Sequence, residues 1–151
     1  MGKRLVAGNW KMHMTPREAA ALARRLTEPM GECACDVACC VPAIDLPAVA
    51  EVLAGTPVAL GAQNMYFEDK GAFTGEISPA MLTEVGARYV ILGHSERRQL
   101  FGETDGAVNQ KVKKALEVGL VPILCCGETL EQREAGVTPE WVRMQLKLGL
   151  W

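Results

Sequence analysis

The run Tyr89-Val90-Ile91-Leu92-Gly93-His94-Ser95 places an imidazole where an apolar, strand-like segment gives out. Ser95 reads as the N-cap of a following helix. A second strand-like run, Leu5-Val6-Ala7-Gly8, ends the same way, in Asn9-Trp10-Lys11. In α/β proteins ligands bind at the carboxyl ends of parallel strands, and catalytic side chains sit there. A histidine can move protons or polarise a carbonyl, a lysine supplies positive charge, and an asparagine donates hydrogen bonds. Together, His94, Lys11 and Asn9 suit a small anionic substrate.

These side chains need elements to hold them. Strand-like runs recur at Leu5–Gly8, Val37–Val41, Val58–Gly61, Tyr89–Leu92 and Val121–Cys125. Each is nearly continuously apolar, as strands buried on both faces of a parallel sheet are. Helix signals lie between them. Thr15-Pro16-Arg17-Glu18 is a capping box with proline at the first helical position. Ala19, Leu22, Ala23 and Leu26 follow at helical spacing. Asp45 and Pro47 start a second helix, and Ser78-Pro79 a third. Val108, Val112, Ala115 and Leu116 form the stripe of another. Thr138-Pro139 opens a final helix carrying Trp141, Val142, Met144 and Leu148. Strand starts recur about every 20–30 residues, the size of a β–α unit. The expectation is one α/β domain over residues 1–151, with about five parallel β/α units.

Composition narrows the class. A chain of 151 residues holds one cored domain. Its net charge of −2 gives no basic field for nucleic acid or an anionic membrane. No apolar run approaches the roughly 18 residues of a membrane span, and no segment reads as a signal peptide. A cytoplasmic protein is expected. The six cysteines, Cys33, Cys35, Cys39, Cys40, Cys125 and Cys126, show no Cys-x-x-Cys spacing, and neighbours on a strand point to opposite faces. They read as buried free thiols, with no metal site.

The segment from Gln63 to Ser78 breaks the rhythm. It has no apolar period, yet it carries Met65, Tyr66, Phe67 and Phe73. Gly71 and Gly75 bracket a tip at Ala72-Phe73-Thr74. A long loop so rich in large apolar side chains reads as either a lid or a contact with another subunit, and the contact is favoured over a loop folded on its own surface.

Asn9-Trp10-Lys11-Met12, Gln63-Asn64, the run from Gly71 to Ser78 and the run from Gly93 to Arg98 resemble the triosephosphate isomerase family. So do Phe101-Gly102-Glu103-Thr104, Cys126-Gly127-Glu128 and Arg133-Glu134-Ala135-Gly136, in that order across the chain. The resemblance implies a partial TIM (β/α)8 barrel. It implies interconversion of dihydroxyacetone phosphate and glyceraldehyde 3-phosphate through an enediolate, in glycolysis and gluconeogenesis, with no cofactor and no metal. Lys11 would then supply charge to the triose phosphate, Asn9 would donate a hydrogen bond, and His94 would be the electrophile. This family is itself the reference example of a histidine kept neutral by a helix N-terminus, here the one Ser95 begins. Glu96 would hold Lys11, and Cys125 would pack behind the site. The 63–78 loop would plug into the neighbouring subunit of a homodimer. Thr74 and Phe73 would lie at its tip, Met14 in the receiving pocket, and Glu76 would pair with Arg97 across the interface.

A whole barrel takes about 250 residues and eight units. Five are legible here, so the family's proton-abstracting glutamate, on a sixth strand–loop, is expected to be missing. Glu103 and Glu128 match positions with structural roles. The chain alone is then expected to be inactive, with open strand edges that favour association. The alternative is a half-barrel that acts only as a folding or association module.

Overall fold

In the computed structural model, residues 4–28 and 34–151 are described. Five strands form one all-parallel sheet in the order β1 (Arg4–Asn9), β2 (Cys35–Val41), β3 (Val58–Ala62), β4 (Tyr89–Leu92) and β5 (Val121–Leu124). Each strand pairs with its neighbours in sequence, so the sheet curls as a half-barrel. Crossovers carry the helices: α1 (Pro16–Thr27), α2 (Leu46–Leu53), α3 (Pro79–Glu84), α4 (Ser95–Leu100), α5 (Asp105–Glu117), α6 (Leu130–Glu134) and α7 (Thr138–Leu150). The expected α/β architecture of about five parallel units is therefore present.

Alternation along the strands sorts side chains between two layers. Val41, Leu60, Val90 and Leu92 point outward and join Val49 of α2 and Val108 of α5 in the core. The intervening residues line the concave face. There Cys40 and Gly61 are register partners, and a Cβ on Gly61 would come within 2.5 Å of Cys40 Sγ. Only glycine admits that approach.

Two local expectations are corrected. The N-cap of α4 is His94 rather than Ser95: His94 Nδ1 accepts from the Glu96 backbone N–H at 3.2 Å, and Ser95 is the first helical residue. An imidazole can cap as a hydroxyl does, because its bare nitrogen presents a lone pair. The thiols are free but not uniformly buried: Cys39 and Cys40 are buried, Cys35 and Cys125 are half-buried, and Cys126 is exposed. Cys125 and Cys126 follow a strand that ends at Leu124, so they lie in the turn above it. Cys33 lies outside the described residues. In α7 the buried stripe includes Gln145 and Gly149, whereas Met144 and Leu148 are exposed. Apolar period marks which side chains could be buried; it does not supply the element that covers them.

Candidate strand-end site

The β1–α1 and β4–α4 turns meet over the carboxyl ends of the strands. Lys11 Nζ donates to Glu96 Oε1 at 2.6 Å and stands 3.3 Å from His94 Nε2, across 83 residues of sequence. Asn9, Lys11, Gln63, His94, Glu96 and Arg97 help to line a cleft of about 390 Å³. His94 is largely covered, while Lys11 and Glu96 keep 38% and 51% of their side-chain surface in solvent.

Lys11 is reached by a strained backbone. Its φ of +57° is left-handed, unusual for a residue with a side chain. Such a residue costs about 1–3 kcal/mol and persists where its surroundings over-determine it. Those surroundings are specific. Asn9 Oδ1 accepts from the Lys11 backbone N–H at 3.0 Å, and Gln63 Nε2 donates to the Lys11 carbonyl at 2.9 Å and to the Cys40 carbonyl at 3.0 Å. Asn9 thus spends its oxygen on the backbone and keeps its NH₂ as a donor.

The ring of His94 faces two donors, and a neutral imidazole accepts at only one nitrogen. In the neutral ring the Glu96 N–H takes Nδ1, which also lies 3.5 Å from Glu96 Oε2, and the proton then falls on Nε2, the nitrogen beside Lys11. An Nε2–H next to an ammonium makes a pair of donors able to hold an oxygen that carries or gains negative charge. The Lys11 hydrogen bond is the main reason that the Glu96 carboxyl is held below its ordinary range; slight burial opposes it, and the Lys11 charge adds to it.

Two other carboxylates near the strand ends, Glu103 and Glu128, are already engaged. Glu103 is buried and paired with Lys111, and its Oε1 lies 3.4 Å from Arg97 Nε. Lys111 also donates to Asn64 Oδ1 at 2.9 Å, tying α5 to the start of the 63–78 loop. Glu128 accepts from Arg133 Nε at 2.8 Å. Its own backbone N–H, then Arg133, lower its carboxyl. Sequence reasoning gave no role to Lys111 or Arg98. The only signal for Lys111 is a lysine falling on the buried side of α5 beside Val108 and Val112.

Of the residues expected at a subunit contact, Phe73, Thr74 and Glu76 are exposed. Phe73 leans on Tyr66, ring centres 4.6 Å apart, and Tyr66 stacks on Phe67 at 4.2 Å. Glu76 lines the same cleft as Lys11 and His94 of its own chain. Met14, at φ +72°, packs against the core. Ser95 and Cys125 flank a second cleft, of about 490 Å³, between the ends of β4 and β5. Burial is the first cause that raises the Cys125 thiol. Among the described residues no group of three or more His, Cys, Asp or Glu could hold a metal ion.

A curled parallel sheet with crossover helices, with Lys11, His94 and Glu96 grouped at its strands' carboxyl ends, defines a β/α-barrel segment. The family model that matches it is that of triosephosphate isomerase, over residues 4–150, and the chain belongs to that family. It is 55% identical over 149 residues to the triosephosphate isomerase of Clostridium tetani, covering 99% of this chain and 58% of that protein. It is 56% identical over 151 residues to that of Carboxydothermus hydrogenoformans, covering 99% and 60%. A crystal structure of triosephosphate isomerase from Bartonella henselae superposes with a TM-score of 0.90 at 39% identity, covering 99% of this chain and 62% of that one. The chain thus spans about three fifths of the length of these relatives.

Proposed function

We propose that these residues carry the binding and electrophilic half of a triosephosphate isomerase, interconverting dihydroxyacetone phosphate and glyceraldehyde 3-phosphate in glycolysis and gluconeogenesis in the cytoplasm. The observation that supports it is the 3.3 Å approach of Lys11 Nζ to His94 Nε2, with Asn9 in the same cleft. Lys11 offsets the substrate's negative charge and the charge that develops on its oxygens. His94 donates from Nε2 to the carbonyl and returns the proton between the two oxygens of the enediolate. Asn9 donates from its amide NH₂. Glu96 holds the ammonium in place, and no cofactor is required.

Proton abstraction from carbon needs a free carboxylate. Glu103 and Glu128 are committed to Lys111 and Arg133, so neither is free to serve as the base in this barrel-segment domain, residues 1–151. General-base catalysis contributes about 10²–10⁴-fold, and turnover by this chain alone is expected to be negligible. The test is isomerisation of glyceraldehyde 3-phosphate by the purified chain beside its His94→Gln variant. Equal background rates support the reading; turnover that His94→Gln abolishes would show that a carboxylate in this chain serves as base.

A homodimer is part of the same reading, with Thr74 and Phe73 docking near the partner's Asn9 and His94 and with Glu76 facing Arg97. A purely associative half-barrel is the second reading, favoured by exposed apolar residues on β1, such as Val6. It predicts association that His94→Gln leaves unchanged and no binding of a triose phosphate. Weakened triose phosphate binding in that variant would oppose it.

A further inference from the structure

Residues 93–98 fold around one guanidinium. Arg98 Nε donates to the Gly93 carbonyl at 2.7 Å, and the Arg98 backbone N–H donates to the His94 carbonyl at 3.1 Å. One residue thus holds the carbonyls on both sides of the His94 α-carbon. The rest of the guanidinium reaches away from the turn: Nη1 donates to Asp105 Oδ1 at 2.5 Å, and Nη2 to the Cys125 carbonyl at 3.4 Å. Asp105 is the first residue of α5, and Cys125 follows β5. The histidine turn is therefore referenced to the next strand and helix as well as to its own. Gly93 makes room for this. Its φ is +72°, and a Cβ there would lie 2.9 Å from Arg98 Nη2 and 3.1 Å from Val108.

We infer that Arg98 is a positioning residue for His94, fixing the Gly93–His94 peptide plane so that Nδ1 meets the Glu96 N–H. The Gly93 carbonyl and the His94 N–H share that plane. Turning it changes φ of His94, now −56°, and swings the ring off the Glu96 amide. The proton is then no longer confined to Nε2. A lysine keeps the charge but not the planar fork that reaches three diverging acceptors. The inference deepens the reading of His94 as the electrophile and rests on it.

The test is the ring ¹⁵N spectrum of His94 in the 151-residue chain at neutral pH, assigned against His94→Gln, with His13 as internal control. The wild type is expected to show two well-separated resonances, one bare Nδ1 and one protonated Nε2. In Arg98→Lys they converge through tautomer exchange, while those of His13 stay in place. Asp105→Asn, which releases one end of the guanidinium, is expected to shift them part of the way. Either variant folded by circular dichroism with the His94 pattern unchanged overturns the inference. Failure of both to fold also overturns it, because Arg98 is then a brace for the fold at large. A wild-type ring doubly protonated at neutral pH sinks the electrophile reading instead, separately from Arg98.

Discussion

Lys11 carries two constraints at once, a left-handed backbone and an ammonium placed between Glu96 and His94. The depressed Glu96 carboxyl makes the pair's contribution full at neutral pH and lost only as pH falls through that lowered value. Lys11→Met is expected to move the Glu96 titration upward, read by carboxyl ¹³C NMR; an unchanged midpoint would assign the shift to another group. Cys40 behaves in the opposite sense. Burial first, then the neighbouring Cys39 and Cys125 thiols, push it up to about 12. A raised thiol contributes stability below its unfolded value, and that contribution is lost as pH climbs toward 12. Thiol labelling near pH 8 should therefore modify exposed Cys126 first and Cys40 only on unfolding. Prompt labelling of Cys40 in the folded chain would contradict its place beneath the site.

At the scale of elements, caps and buried ends set how firmly each turn is held. Thr104 Oγ1 accepts from the Ala107 N–H at 3.2 Å and starts α5, the 13-residue helix on which Arg98 and Glu103 are anchored. Thr104→Ala is expected to cost about 1 kcal/mol, read as a lower urea midpoint with the slope unchanged. The turn before α2 holds the reverse case. Asp45 is fully buried, neither of its carboxyl oxygens has a hydrogen-bond partner among the described residues, and burial raises its carboxyl. The neutral form is the one that suits the fold, so its contribution is present at low pH and lost as pH rises through the raised value. Asp45→Asn should stabilise the chain by about 1 kcal/mol at pH 7, with the gain shrinking as pH falls. Equal urea midpoints at pH 7 would mean that the carboxylate is satisfied after all.

For the molecule as a whole, β1 and β5 are the sheet's edge strands. Every residue of β1 but Asn9 is exposed, Val6 by 58%, and Leu148 and Leu150 of α7 are exposed by 50% and 57%. An edge with unpaired backbone groups and apolar side chains templates association. The chain is expected to associate with rising concentration. Val6→Lys, a charge at an exposed edge position, should lower the weight-average mass in sedimentation while leaving the circular dichroism unaltered. Unchanged mass would shift the association to the 63–78 loop, which Thr74→Arg would then reveal.

Much of this was legible in the chain itself. Continuous apolar runs such as Tyr89–Leu92 are what two-sided burial demands, and the capping signals at Thr15 and Ser78 mark helix starts by local hydrogen bonding. The positions of Asn9, Lys11 and His94 at strand ends follow from the same local rules. The short α6 (Leu130–Glu134) was missed, because five residues are too few for a period to show. What only the tertiary structure decided are the relations between distant segments. Lys11 meets His94 across 83 residues, Lys111 meets Asn64 across 47, and Arg98 meets the Cys125 carbonyl across 27. Period and propensity are read along one segment, and no local pattern encodes which backbone carbonyl a half-buried guanidinium will find. The same holds for the cap of α4, since whether His94 or Ser95 supplies the lone pair depends on how the Gly93 turn aims the ring.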